Sequence, residues 1–200
     1  MASGATILGC AGTVLSAEEH AFFRAADPWG FILFGRNVES PEQLRRLTGD
    51  LRVAVGREAV VFIDQEGGRV QRLRAPQWRE WLPPLEQAAR PDPGRSFWLR
   101  ARIQAAELRA AGIDGNCAPT CDIAGPLTHP FLRNRCFGTD AGTVARNARV
   151  TAEGLLAGGV LPVMKHLPGH GRAEADSHKD LPAVTADLAD LSAHDFAPFR

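Results

Sequence analysis

The residues with the clearest chemical potential lie in one segment, KHLPGHGRAEADSH, which runs from Lys165 to His178. One proline and two glycines near its start oppose a helix, so the segment is predicted to be an irregular loop. Asp176 stands two residues before His178, and a carboxylate beside an imidazole can orient the ring and raise its affinity for a proton. The pair therefore predicts proton transfer, with His178 as general acid and base and Asp176 as its partner.

Two other interpretations of this segment stay open. His166, His170 and His178 could bind a metal ion, but Pro168 and Gly169 interrupt the helical face that a zinc-binding HxxxH pair uses. We therefore predict neither a metal site nor a cofactor. The second alternative is a polar loop whose histidines are incidental.

A second polar cluster, DQEGGRVQR, runs from Asp64 to Arg72. Asp64 offers hydrogen-bond acceptors and Arg72 a fixed cation, a combination that suits the hydroxyl groups of a sugar. The alternative is a salt-bridge network that closes the turn, and we expect Glu66 and Arg69 to be structural in either case.

A third cluster, RNRCFG, extends from Arg133 to Gly138. One of its two arginines could hold a polar ligand, and a solvated loop charge is the alternative. Composition alone favours the solvated charge.

These clusters follow short apolar runs that alternate with helical patterns, which is typical of βα units and a parallel sheet. Such sheets place functional residues where the strands end. No glycine-rich phosphate-binding motif follows the first strand, so we predict an α/β fold of the (β/α)₈ TIM-barrel type. The predicted strands are 31–34, 59–63, 116–123 and 160–164, and the predicted helices run from the N-cap Ser40 to Gly56, from about Ser96 to Ala111 and from the N-cap Asp140 to about Ala157.

The length of the sequence limits how much of a barrel it can form. A complete barrel takes ~250 residues, whereas this sequence has 200. We therefore expect residues 1–200 to be the N-terminal part of a single TIM-barrel catalytic domain, truncated after about five βα units.

The composition argues against several classes of partner. Lys and Arg number 23, Asp and Glu also number 23, and the isoelectric point is about 7.0, so we expect no binding to nucleic acid or to an anionic membrane. No apolar run reaches the ~18 residues of a membrane-spanning helix.

The start of the chain and its cysteines favour the cytoplasm. No Lys or Arg precedes the apolar segment 5–15, so we interpret that segment as the first buried part of the fold rather than as a secretory signal. Ile7–Cys10 faintly resembles a lipoprotein cleavage box, but only nine residues precede Cys10. The cysteines lack zinc-site spacing and are expected to be buried free thiols in a reducing compartment; they are Cys10, Cys117, Cys121 and Cys136.

Four motifs together resemble glycoside hydrolase family three, specifically its bacterial β-N-acetylglucosaminidase branch. They occur in the family's order and cover nearly the whole chain: IDQEGGRVQR at 63–72, APTCDI at 118–123, RCFG at 135–138 and KHLPGHGRAEADSHKDLP at 165–182.

The resemblance implies roles for individual residues. His178 matches the family's general acid and base, and Asp176 matches its partner. The positions implied to bind the N-acetylglucosamine are Asp64, Arg72, Arg135, Lys165 and His166. The family is retaining and uses an aspartate nucleophile in a later motif of the SDDL type. This sequence has no such motif, so we expect that it does not turn over substrate alone.

The expected activity is that of an exo-acting β-N-acetylhexosaminidase that removes terminal β-linked N-acetylglucosamine. The resemblance also implies a monomer in the cytoplasm that acts on anhydro-muramyl peptides during peptidoglycan recycling. Two alternatives remain, a phosphorylase that transfers the sugar to phosphate and a non-catalytic sugar-binding protein.

Overall fold

The computed structural model describes residues 3–175 and 181–200. Strands and helices alternate along most of this length. The strands are β1 (Gly4–Leu8), β2 (Pro28–Leu33), β3 (Val60–Ile63), β4 (Gln65–Gly67), β5 (Val70–Gln71), β6 (Gly115–Asn116) and β7 (Leu161–Pro162). The helices are α1 (Ala17–Ala26), α2 (Pro41–Val55), α3 (Pro84–Ala88), α4 (Pro93–Ala110), α5 (Pro130–Arg133), α6 (Ala141–Ala157) and α7 (Leu188–Ala193), with 3₁₀ turns at Gly35–Asn37 and Ala197–Phe199.

The main sheet has the winding of a TIM-type barrel. Within the described residues it contains five strands in the order β1-β2-β3-β6-β7, and each neighbouring pair is parallel. A doubly wound sheet reverses its strand order at a switch point, whereas the order here follows the chain throughout. A helix separates each pair of neighbouring strands, as a succession of βα units requires. The short β4 and β5 form an antiparallel hairpin after β3.

The predicted helices are confirmed, with small shifts at their ends. The Ser40 hydroxyl accepts the Gln43 backbone N–H at 3.1 Å at the start of α2, and Gly56 ends this helix in the left-handed conformation. The Asp140 carboxylate caps α6 in the same way. The helix predicted from Ser96 begins earlier, at Pro93, because the Asp92 side chain provides the cap.

Apolar contacts between the sheet and its helices form the main core. The outward-facing strand residues are Phe31, Leu33, Val61 and Ile63, and the facing residues of α2 are Leu44, Leu47 and Leu51. On the opposite face of the sheet, a Cβ atom at Gly115 would lie 2.3 Å from the Phe62 ring. Glycine is therefore required where β6 passes this ring.

Three sequence-based expectations are wrong in detail. The segment 5–15 is not buried at its start, because β1 lies at the edge of the sheet and Ile7 is 47% exposed. The strand predicted at 116–123 is regular only at Gly115–Asn116 and pairs again at an isolated bridge between Thr120 and Lys165; Pro119, which has no N–H to donate, lies between the two. The strand predicted at 160–164 is regular only at Leu161–Pro162.

Across residues 3–175 and 181–200, no helix combines the length and apolarity needed to span a bilayer.

Candidate functional site

Side chains that follow strands β3, β5 and β7 meet at one edge of the main sheet. Asp64 directly follows β3, and Lys165 comes shortly after β7. One Asp64 oxygen accepts the Lys165 ammonium group at 2.8 Å, and the other accepts Arg72 Nη2 at 3.0 Å. Three of the five residues expected to bind sugar are thus in direct contact.

A buried carboxylate, that of Glu66, links this group to the fourth expected residue. Arg135 binds Glu66 through two parallel hydrogen bonds, with Nε at 2.9 Å and Nη2 at 2.8 Å. Lys165 Nζ lies 2.5 Å from the same carboxylate. Such bidentate pairs fix both position and orientation. Glu66 is structural, as expected, but it holds the ligand-binding residues rather than the turn alone.

The salt-bridge alternative for the Asp64–Arg72 segment is correct only in part. Asp64 and Arg72 do pair. Arg69 instead lies over the Phe131 ring at 3.9 Å and donates a hydrogen bond to the Phe131 carbonyl. Charged residues of this segment therefore also contact residues that are distant in the sequence, such as Phe131.

The fifth expected residue, His166, lies between the Asp122 carboxylate and the Arg135 guanidinium group. Its Nδ1 is 2.6 Å from Oδ2 of the buried Asp122, and its Nε2 is 3.3 Å from Arg135 Nη2. The peptide bond between Lys165 and His166 is cis. Asp122 lies in the APTCDI motif, but spacing in the sequence gave no signal of its contact with His166.

Arg100 supports this site from within the protein. It is buried, and it donates to the backbone carbonyls of Glu66 and of Leu82, the latter at 2.9 Å. Burial lowers the pKa of Arg100 to about 9, despite the nearby charge of Glu66. A Cβ atom at Gly67 would lie 1.8 Å from the Arg100 guanidinium, and Gly67 has a φ of 110°. Only glycine allows the backbone to pass this close.

The opposite charges in the site offset the effect of burial on one another's pKa values. Burial alone would raise the pKa of Asp64, but Lys165 and Arg72 together shift it below its ordinary value. Burial alone would lower the pKa of Lys165, but Glu66 and Asp64 shift it above its ordinary value. Both groups therefore stay charged near neutral pH.

The site keeps free hydrogen-bonding capacity for a ligand. The side chains of Asp64, Lys165, Arg72 and His166 are 16%, 14%, 28% and 36% exposed, respectively. Arg72 Nε is buried and has no acceptor among the described residues. Fixed acceptors and donors side by side match the alternating needs of sugar hydroxyl groups.

The cysteines are free, as predicted, and three of them are buried. The exception, Cys117, is half-buried beside Asp64, and burial followed by the Asp64 charge raises its pKa to about 11. The thiol is therefore protonated near neutral pH. The described part of the chain contains no group of three or more His, Cys, Asp or Glu side chains placed to hold a metal ion.

The predicted proton-transferring pair, Asp176 and His178, lies outside the described residues. The stem that leads to it is fixed to the segment after β6. Thr128 Oγ1 donates to the Gly171 carbonyl, and the His129 N–H donates to the Ala173 carbonyl at 3.2 Å. A Cβ atom at Gly171 would lie 2.1 Å from the Ile123 carbonyl oxygen. Gly171 thus packs directly against the irregular segment after β6 that carries Asp122.

A cavity of about 970 Å³ bordered by described residues is separate from this cluster. Its walls include Thr128, Arg133, Arg172, Val184 and His194, and none of the five expected sugar-binding residues. The candidate site is therefore defined by its convergent, largely buried charges rather than by cavity volume.

A family model described as the glycosyl hydrolase family 3 N terminal domain matches residues 15–200. A β-hexosaminidase of Bordetella avium (strain 197N) is 37% identical over 202 residues, covering 98% of this chain and 57% of the relative. A β-hexosaminidase of Nitrosospira multiformis is also 37% identical, covering 100% of this chain and 58% of the relative. The chain therefore spans little more than half the length of these curated relatives.

Solved structures show the same likeness. Native NagZ from Neisseria gonorrhoeae superimposes with a TM-score of 0.89 at 32% identity, covering 98% of this chain and 58% of that one. The same protein in complex with N-trifluoroacetyl-D-glucosamine also gives a TM-score of 0.89, at 32% identity over 98% of this chain and 59% of that one. A glycoside hydrolase family 3 β-N-acetylglucosaminidase from Paenibacillus gives 0.88 at 31% identity, covering 97% and 37% of the two chains. The expected fold, part of a TIM-type barrel, is confirmed.

Proposed function

The chain belongs to glycosyl hydrolase family 3, and from this premise we propose that the full-length protein is a retaining exo-β-N-acetylhexosaminidase that removes terminal β-linked N-acetylglucosamine. The observation that carries the proposal is the cluster of paired charges at the strand ends. It presents Asp64, Arg72, Lys165 and His166 to solvent in fixed positions. The names of the similar proteins and the bound N-acylglucosamine analogue in one of them support the same substrate class.

Each residue of the cluster has a distinct part in sugar binding. Asp64 accepts hydrogen bonds from sugar hydroxyls, while Lys165 and Arg72 donate them. Arg135 lies deepest, with its side chain 8% exposed, and contacts the sugar from behind His166. Because the partners hold one another in place, little side-chain entropy is lost when the sugar binds.

Catalysis is assigned to the predicted pair. His178 protonates the leaving oxygen and later takes a proton from water, and Asp176 orients its ring. A histidine in this role is neutral as a base, so it does not repel an anionic nucleophile. That nucleophile, the aspartate expected from the family resemblance, is not assigned to a residue of the present sequence.

The biological setting is also a proposal. We assign residues 1–200 to the N-terminal part of one catalytic domain, acting as a monomer in the cytoplasm on anhydro-muramyl peptides. The free cysteines are compatible with a reducing compartment. Fractionation of cells that express the tagged full-length protein tests the location.

Activity of the full-length protein on a chromogenic N-acetyl-β-D-glucosaminide tests the function. Loss of a general acid and base should lower kcat by about 10²–10⁴-fold, so His178→Ala should be nearly inactive. His20→Ala, on helix α1 far along the chain from the site, is the matched control and should keep full activity. Equal turnover by His178→Ala and the wild type would refute the assignment.

The products separate the remaining alternatives. A hydrolase releases free N-acetylglucosamine at a rate that added phosphate does not change, whereas a phosphorylase forms the sugar phosphate. Calorimetry that detects N-acetylglucosamine binding without any turnover would favour the non-catalytic protein.

A further inference from the structure

Asp122 contacts the Lys165–Ala173 segment through both of its carboxylate oxygens. It is fully buried, and its Oδ1 accepts the His170 backbone N–H at 2.7 Å. Its Oδ2 lies 2.6 Å from His166 Nδ1. Both oxygens therefore face nitrogen atoms of one turn, and one of these nitrogens belongs to a residue of the proposed sugar site.

The contacts on the two sides of His166 determine where its ring proton lies. Arg135 Nη2, at 3.3 Å from Nε2, is a donor under all conditions and has no acceptor to offer. A proton on Nε2 would therefore point at another donor, which disfavours the Nε2–H tautomer in this arrangement and makes Nε2 the acceptor of the Arg135 N–H. The remaining form carries its proton on Nδ1 and donates it to Asp122.

This arrangement leaves Nε2 without a proton and facing the Arg135 N–H, on a ring that is partly exposed. The His166 side chain is 36% exposed, whereas Asp122 is out of reach of solvent. A sugar hydroxyl that approaches Nε2 thus meets an acceptor and must supply the proton itself. Without the carboxylate behind Nδ1, the Nδ1–H would lose its acceptor, and only Arg135 on the other side of the ring would favour this tautomer.

We propose that Asp122 is a positioning residue that, together with Arg135, fixes His166 in its Nδ1–H tautomer, so that Nε2 accepts a hydroxyl group of the N-acetylhexosamine when that hydroxyl replaces Arg135 Nη2 as its donor. The inference rests on the proposed function, because it concerns the same site. It adds a residue for which the sequence gave no role and specifies the direction of one hydrogen bond to the substrate.

A purely structural role for Asp122 makes a different prediction. In that case Asp122 only ties the turn through the His170 N–H, and its loss acts on the site independently of the imidazole. Thr128 provides a matched example, since it ties Gly171 and has no contact with His166 among its hydrogen bonds.

The tautomer is measured directly in the full-length protein labelled with ¹⁵N-histidine. Two-bond ¹H–¹⁵N correlation spectra distinguish protonated from bare ring nitrogens, and comparison with His166→Ala assigns the signal. We expect a proton on Nδ1 and a bare Nε2 in the wild type and in Thr128→Val. A proton on Nε2 of the wild type would overturn the proposal.

A double-mutant cycle then tests whether Asp122 acts through His166. Asp122→Asn keeps the shape but cannot serve both the Nδ1–H and the His170 N–H as an acceptor, so KM should rise about ten- to a hundredfold. The change in kcat should be smaller, because the contact exists before the transition state. In the His166→Ala background, Asp122→Asn should have little further effect on KM, whereas Thr128→Val should add its full effect.

The outcomes are distinguishable. Equal effects of Asp122→Asn with and without His166 would leave only the structural tie and refute the coupling. If the wild type neither binds nor cleaves N-acetylglucosaminides, the proposed function fails and the sugar contact fails with it. The same ¹⁵N-histidine spectra of Asp122→Asn, compared with the wild type, would still show whether Asp122 sets the ring proton.

Discussion

Two parts of the main sheet, the β2–β3 pair and the pairs made by β6, are built in different ways. Strands β2 and β3 pair over four consecutive positions, from Gly30 with Val60 to Leu33 with Ile63. Strand β6 pairs at only two positions with each of its neighbours. Regular backbone pairing thus dominates the first part of the molecule and fades toward the second.

Buried polar side chains take over where the pairing fades. Asn116 Oδ1 accepts the Gln65 N–H at 3.0 Å, and Asn116 Nδ2 donates to the Gln65 carbonyl at 3.1 Å. Thr120 donates to the Arg135 carbonyl in the same region. These side chains satisfy buried backbone groups that a longer strand would have paired. The irregular backbone that results can direct Asp122, Lys165 and His166 toward one point.

The largest expected effect follows from the charges in this second region. Glu66→Gln keeps the side-chain shape but leaves the buried cations of Lys165 and Arg135 without one of their anions. Removing one member of a buried ion pair costs about 3–5 kcal/mol, so we expect a loss near the lower limit, since Asp64 still pairs with Lys165. Urea unfolding of the full-length protein measures the free energy, and calorimetry should show weaker sugar binding.

The control comes from the regular region. Leu47→Ala, in the core between α2 and the sheet, should cost a similar ~3 kcal/mol through the cavity it leaves. Sugar affinity measured on the folded protein should be unchanged. If both variants lost the same sugar affinity, the two regions would not differ in function, and the comparison would fail.

A smaller effect is expected from the acid dependence of Asp64. Its folded pKa lies below the unfolded value of about 3.9, so its contribution to stability is present above that pH and is lost as the pH falls toward the folded pKa. In Asp64→Asn, unfolding free energy should therefore fall less steeply below about pH 4 than in the wild type. Denaturant unfolding at a series of pH values measures this slope.

Asp140, the N-cap of helix α6, is the control for Asp64 because it lies outside the candidate site. Hydrogen bonds from Thr143 at the start of α6 lower its pKa as well. Asp140→Asn should also flatten the acid slope, but it should leave sugar binding intact. Loss of sugar binding in Asp140→Asn would argue against a site confined to the strand ends.

The regular region could be predicted from the sequence, and the reason is physical. Helix α2 carries its own capping residues and an apolar face, so Ser40, Leu47 and Gly56 identify it locally. Strand β3 is an uninterrupted apolar run that only a buried strand explains. These signals need no knowledge of distant residues.

The second region could be predicted only in part. The motifs identified Asp64, Lys165 and His166 as a group, but nothing local showed that Glu66 pairs with Arg135, 69 residues later. Asp122 and His166, which are also in contact, are 44 residues apart in the sequence. Tertiary ion pairs leave no periodic pattern, and strand lengths near Pro119 and Pro162 depend on pairing that propensity does not report.

The smallest expected effect on stability concerns the outer strands of the sheet. Ile7 on β1 and Leu161 on β7 are each 47% exposed, and each lies on a strand with only one described neighbour. Exposed apolar edges promote pairing between molecules, so the 200-residue polypeptide should self-associate as its concentration rises. Ile7→Lys and Leu161→Lys should each reduce that association while changing the free energy of unfolding by less than about 0.5 kcal/mol.

Sedimentation velocity over a range of concentrations measures the association. Val53→Lys is the control, because Val53 is 70% exposed on the helix α2 and lies on no sheet edge. If all three lysines reduced association equally, added charge rather than edge pairing would be the cause. A stronger effect of Leu161→Lys than of Ile7→Lys would identify β7, the outer strand beside β6, as the main site of association. Backbone pairing is shortest on that side of the sheet. The structural difference between the two parts of the sheet would then extend to their behaviour in solution.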